Sequence, residues 1–142
     1  MVALGTPLLF LLIMEGLSRI LSSARDRHLL TGIKIADDFY LTHLLFVDDI
    51  LIFLNGSIGD TTTLQNAMLL FQQATGMKIN EQKSSITSVG CSVHESVFAS
   101  HRFPFNSLSL ADGIKYLGFR LKPNGYRIAD WLWLIAKVEK RL

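Results

Sequence analysis

The sequence has 142 residues, with 14 Lys and Arg against 12 Asp and Glu, an apolar share of 49% and a mean hydropathy of +0.33. That length allows one compact domain and excludes a large multidomain enzyme. Its one cysteine, Cys91, excludes an internal disulfide and a cysteine-based zinc site within the chain, and makes an intracellular setting the simple inference.

Charge is unevenly placed. Residues 1–114 carry seven Lys and Arg against ten Asp and Glu, a balance of −3, whereas residues 115–142 carry seven against two, a balance of +5. A basic C-terminal segment suits a nucleic-acid partner, and a solvated helix face accounts for several of the same lysines. His28, His43, His94 and His101 do not fall into a metal-ligand spacing. The apolar share is high for a free-standing domain, so a companion chain covering exposed apolar surface is expected.

In chain order, Val2 to Met14 is uncharged and largely apolar, but no basic residue precedes it. Glu15 stops the run short of the roughly 20 residues a span needs. Neither a signal peptide nor a membrane contact is expected. Phe10, Ile13, Met14, Leu17, Ile20 and Leu21 recur at helical spacing and predict a buried helix entered through Gly5-Thr6-Pro7-Leu8, with Pro7 near the first turn. Gly32–Ile35 and Phe39–Thr42 read as strands about an Asp37-Asp38 turn. That acid pair lies in polar surroundings and is assigned no role.

The next stretch, Leu41 to Leu54, sets two adjacent carboxylates inside an apolar, β-favouring run. An unpaired carboxylate is costly to bury, so Asp48 and Asp49 are expected at the exposed tip of a hairpin or beside a cation. Asp-Asp lacks the glycine that favours the tightest hairpin turns, which points to a functional reason for the acids.

Downstream, Asn55–Asp60 is a loop. Asp60 or Thr61 is expected to cap a helix bearing the stripe Leu64, Ala67, Met68, Phe71 and Ala74, with Gly76 ending it. Met77–Asn80 and Ser85–Val89 read as short strands, Val93 to Phe98 as a short helix, and the segment around Pro104 as a connector. Lys115–Lys122 alternates apolar Leu117, Phe119 and Leu121 and reads as one strand, with Gly118 allowing close backbone approach. Asn124-Gly125 signals a turn, after which Asp130 is expected to cap a helix with a Trp131, Ile135, Val138 and Leu142 stripe.

Phe46-Val47-Asp48-Asp49 resembles the aromatic-x-Asp-Asp signature of reverse transcriptases, and the surrounding His43-Leu-Leu-Phe-Val-Asp-Asp-Ile-Leu-Ile-Phe53 resembles that of plant non-LTR (LINE-type) retrotransposons. The resemblance runs from Gly5 to Leu142. It takes in Gly5-Thr6-Pro7-Leu8, where the family's following Ser-Pro is absent. It also takes in Thr75-Gly76-Met77-Lys78-Ile79-Asn80-x-x-Lys83-Ser84 and Tyr116-Leu117-Gly118-Phe119-x-Leu121.

The resemblance implies an α+β fold: a partial polymerase palm over residues 1–122, with a catalytic-type hairpin on an antiparallel sheet packed on helices, and the start of a thumb or connection over 123–142. It implies Asp48 and Asp49 as catalytic carboxylates and Mg²⁺ ligands, Lys83 as a catalytic cation at the nucleotide phosphates, and Gly5 and Pro7 as nucleotide- or template-binding. Tyr116, Leu117 and Gly118 become primer-binding, and an RNA template and DNA primer become the partners. Hard oxygen ligands suit Mg²⁺, and positioned cations suit the charge that develops in phosphoryl transfer. On residue type alone, a surface lysine after a turn is the better account of Lys83. The family uses a further aspartate and a fingers region ahead of these motifs, so the expected function is a truncated RNA-directed DNA polymerase fragment, inactive alone. The alternatives are a non-catalytic nucleic-acid-binding module or a protein-interaction module.

Overall fold

Apolar residues at helical spacing, with no interior breaker after Pro7, build the first element. The computed structural model describes residues 5–123 and 125–141 and places helix α1 at Gly5–Asp26. Pro7 lies in its first turn, where the missing N–H had no intrahelical acceptor to lose. The helix does not stop at Glu15, which instead pairs with Arg19 one turn on at 3.1 Å. Pro7–Asp26 is therefore long and apolar enough to cross a membrane by length and composition, contrary to the expectation that Glu15 ends the run. Met14, Leu17 and Leu21 of the same helix nonetheless form a buried stripe.

Helix α1 ends without glycine. His28 adopts a left-handed φ of 58°, its N–H donates to the Arg25 carbonyl at 2.9 Å, and the Leu29 N–H donates to the Ala24 carbonyl at 2.9 Å. These are the two bonds of a Schellman motif, with His28 where glycine is usual.

Helix α2 spans Ile58–Thr75 and ends at Gly76. Ser57, not Asp60 or Thr61, caps it: the Asp60 N–H donates to Ser57 Oγ at 3.1 Å. The expected stripe holds for Leu64, Ala67, Met68 and Phe71, which are buried, while Ala74 is exposed. These side chains join Met14, Leu17, Leu21, Leu30 and Phe103 in one core cluster. Helix α3, Val93–Arg102, opens on a reciprocal capping box between Ser92 and Glu95.

The α+β class holds, with the strands in four separate pairs. Strands β1 (Ile33–Ala36) and β2 (Phe39–Leu41) are antiparallel, as are β3 (His43–Phe46) and β4 (Asp49–Ile52). Strands β5 (Ser85–Ile86) and β6 (Asn106–Ser107) form a short parallel pair. Met77–Asn80 is not a strand; the Ile79 N–H donates to the Gln72 side chain instead of to a ladder.

The chain divides into two compact units, Met1–Ser107 and Leu108–Leu142. In the second, Lys115–Lys122 is a hairpin and not the single expected strand. Strands β7 (Ile114–Tyr116) and β8 (Phe119–Leu121) pair antiparallel about Leu117-Gly118. Both turn residues have positive φ, 50° and 84°, the pattern of the tight hairpin turn that matches strand twist. A 3₁₀ turn at Ile128–Trp131 leads into helix α4, Leu132–Glu139. Asp130 lies inside that turn and is not its cap, while Trp131, Ile135 and Val138 are exposed. Asn124 and Leu142 lie outside the described residues.

Candidate functional site

Two apolar runs that pair face to face force a reversal at the polar residues between them. The register of β3 and β4 sets Leu45 against Ile50 and Phe46 against Asp49, leaving Val47-Asp48 as a two-residue turn. Leu45, Ile50 and Ile52 pack against the core cluster. By the period-two rule Leu44, Phe46 and Asp49 lie on the opposite face, and all three are exposed, as is Asp48. The adjacent acids thus stand in solvent at the tip, where neither carries a burial cost. None of the ion pairs among the described residues reaches them.

Val47 has φ +55°. A β-branched side chain in the left-handed region is a steric outlier costing on the order of 1–3 kcal/mol, and it persists only where the surroundings hold it. Here the paired strands impose it, and the reversal brings Asp48 and Asp49 to the apex.

The hairpin is anchored at its other end. The Phe53 N–H donates to the Thr42 carbonyl at 2.8 Å. His43 bridges to α1, with Ser18 Oγ 2.8 Å from its Nε2 and Thr42 Oγ1 3.0 Å from its Nδ1. Burial, aided by the positive charge of Arg25, holds the His43 pKa below its ordinary value, with Glu15 opposing. Asp60, buried, accepts from the N–H groups of Thr31 (3.0 Å), Gly32 (3.0 Å) and Asn55 (3.3 Å). One carboxylate therefore ties the segment entering β1 to the segment leaving β4. Gly32 has φ +73°, and a Cβ there would run into the Leu41 carbonyl, so only glycine fits.

The sequence offers Asp60 only as a helix cap and gives His43 no metal-ligand spacing. The Ser57-x-x-Asp60 spacing is a helix-start signal, but nothing local shows that Asp60 turns inward to distant loops. The Ser18–His43 bond spans 25 residues and has no local signature.

The remaining expected residues lie on other elements. Lys83 is exposed on a turn held by Asn80, whose side-chain oxygen accepts the Lys83 N–H at 3.1 Å. Gly5 and Pro7 are in the first turn of α1, not in a loop. Tyr116 ends β7, and Leu117-Gly118 form the β7–β8 turn, in the second unit. Among the described residues no group of three His, Cys, Asp or Glu side chains converges to hold a metal ion. Asp48 and Asp49 carry hard oxygen donors, the ligand type that Mg²⁺ takes together with waters and substrate phosphates.

A family model described as reverse transcriptase (RNA-dependent DNA polymerase) matches residues 4–121. No curated protein matches the chain.

Proposed function

The chain belongs to the reverse transcriptase (RNA-dependent DNA polymerase) family, and from that premise we propose that it carries the palm of a plant LINE-type retrotransposon enzyme, and that Asp48 and Asp49 without a third carboxylate leave these residues inactive. The observation that carries the reading is the exposed Asp48-Asp49 tip, with its strained Val47, inside the matched residues. In this reading Asp48 and Asp49 would hold Mg²⁺, which when bound stabilises charge on transferring phosphates. Lys83 meets the nucleotide phosphates, Gly5 and Pro7 lie near nucleotide and template, and Tyr116, Leu117 and Gly118 meet the primer. Residues 1–122 are then palm, and 123–142 belong to a thumb or connection.

Inactivity rests on ligand number. Two carboxylates bind a hard cation weakly without a third, and much of the transition-state charge would go uncompensated. A primer-extension assay on an RNA template with Mg²⁺ tests this, alongside an Asp48→Asn, Asp49→Asn variant. Extension by the wild-type chain at the background of the variant is expected. Robust extension abolished by the two substitutions would overturn the inactivity.

A further inference from the structure

Helix α4 leans on its own unit through one side only. Trp133 meets Phe119 edge-on at 5.8 Å, Lys137 Nζ lies 6.0 Å from the centre of the Trp133 ring, and Trp133 and Leu134 are half-buried. The other side is bare. Ile128 is 82% exposed, Trp131 43%, Leu132 55%, Ile135 50% and Val138 50%. Positions 128, 131, 135 and 138 recur at steps of three and four, so these side chains make one apolar stripe along the helix and the turn that leads into it. An eight-residue helix is marginal by itself and takes its stability from packing such a face. Tyr116, Leu117 and Gly118, read above as primer-binding, lie on the β7–β8 hairpin and not on this stripe.

Chemistry narrows what covers it. Ile128, Leu132, Ile135 and Val138 offer a nucleic acid neither a ring to stack on nor a hydrogen bond. They match the apolar side of another helix, which docks at the same steps of three and four. A bilayer would also take them, but Glu139 stands one turn past Ile135 on the same face. Insertion would carry its carboxylate to the acyl boundary.

Charge narrows it further. Arg127 precedes Ile128, and Lys140 and Arg141 follow Val138, so cations bracket the stripe. All three are exposed, and none joins an ion pair among the described residues. A second copy of the chain meets like charge in either orientation: antiparallel docking sets Arg127 against Lys140 and Arg141, and parallel docking sets each cation against its own copy. A partner helix with acids along its flanks is attracted in both.

We propose that the bare stripe of α4 docks an amphipathic helix of an acidic protein partner, whose apolar side chains pack on Trp131, Ile135 and Val138 while its carboxylates meet Arg127, Lys140 and Arg141. The proposal stands on this unit's own geometry and requires neither Asp48 and Asp49 nor a metal ion.

Of the chain's two tryptophans, Trp131 lies on the stripe, so its fluorescence reports docking. The probe is a helical peptide of about three heptads with leucine at the a and d positions and glutamate at the flanking ones. Titrated into the full chain, it is expected to shift the emission to the blue, and the same peptide with lysine for glutamate should bind about tenfold or more weakly. Ile135→Gln with Val138→Gln should weaken docking by about tenfold or more; both side chains are exposed, and an unchanged far-ultraviolet dichroism spectrum is expected to show that the fold is kept. Lys140→Glu with Arg141→Glu should reverse the preference between the two peptides, which an unspecific apolar surface would not do. Equal affinity for the two peptides overturns the proposal, as does docking that survives the Ile135, Val138 variant. It is overturned equally if that variant abolishes self-association of the chain in sedimentation, binding to phosphatidylserine vesicles, or binding of a single-stranded oligonucleotide, since the stripe would then serve a second copy, a membrane or a nucleic acid.

Discussion

Asp60 accepts the Gly32 N–H at 3.0 Å from inside the protein, 28 residues away along the chain. The same carboxylate takes the N–H groups of Thr31 and Asn55, so the segments flanking both hairpins of the first unit meet at one side chain. Asp60→Ala leaves the buried Gly32 N–H and the part-buried Thr31 and Asn55 N–H groups without this acceptor, and a loss of about 3 kcal/mol is expected. Asp60→Asn keeps one acceptor oxygen and should lose about half of that. Urea unfolding of the three proteins checks the order.

The Schellman turn at His28 gives the opposite sign. A non-glycine residue in the left-handed region costs about 1–2 kcal/mol, while glycine loses somewhat more entropy on folding. His28 is exposed and its side chain does not join the core. His28→Gly should therefore stabilise the protein by about 1 kcal/mol, read as a melting-temperature rise of about 4 °C. No change would mean that the side chain has a compensating partner.

Val47 should behave differently from His28, because its strain sits at the candidate site. Val47→Gly relieves the same kind of backbone cost and should raise hairpin stability by about 1 kcal/mol. It also frees the turn that presents Asp48 and Asp49. Amide exchange at residues 46–49 measures both effects, with slower exchange expected in β3 and β4 and faster exchange at the tip.

His43 predicts a pH dependence. Its folded pKa lies below the ordinary 6.5 because burial disfavours the charged ring, so the unfolded chain binds more protons between the two values. Stability is then complete above pH 6.5 and falls as pH drops through that value toward the folded pKa. Thermal unfolding from about pH 7.5 to about pH 5.5 should show this loss, and His43→Gln should flatten it. An unchanged slope in the variant would assign the dependence to another group.

Local patterns were legible in the sequence where burial and periodicity agree. The β3–β4 hairpin could be read because apolar runs on both sides of Asp48-Asp49 leave only one place for a reversal. The α2 stripe could be read from Leu64 to Phe71 for the same reason. Lys115–Lys122 misled because its alternation continues through a two-residue turn, and Leu117 gives no sign of the positive φ it adopts. The capping box of Ser92 and Glu95 was available by spacing. The Asp60 and Ser18–His43 links were not, since they join segments whose proximity only the packing of α1 against α2 creates.

If the Asp48-Asp49 tip grips a divalent cation, as proposed, Asp37-Asp38, a second exposed acid pair on the β1–β2 turn, supplies an internal control. Paramagnetic broadening of amide signals by Mn²⁺, followed residue by residue, compares the two pairs in one sample. Broadening centred on residues 47–50, weak at 37–38 and abolished by Asp48→Asn with Asp49→Asn is the expected result. Equal broadening at both pairs, or none at 47–50, would contradict it.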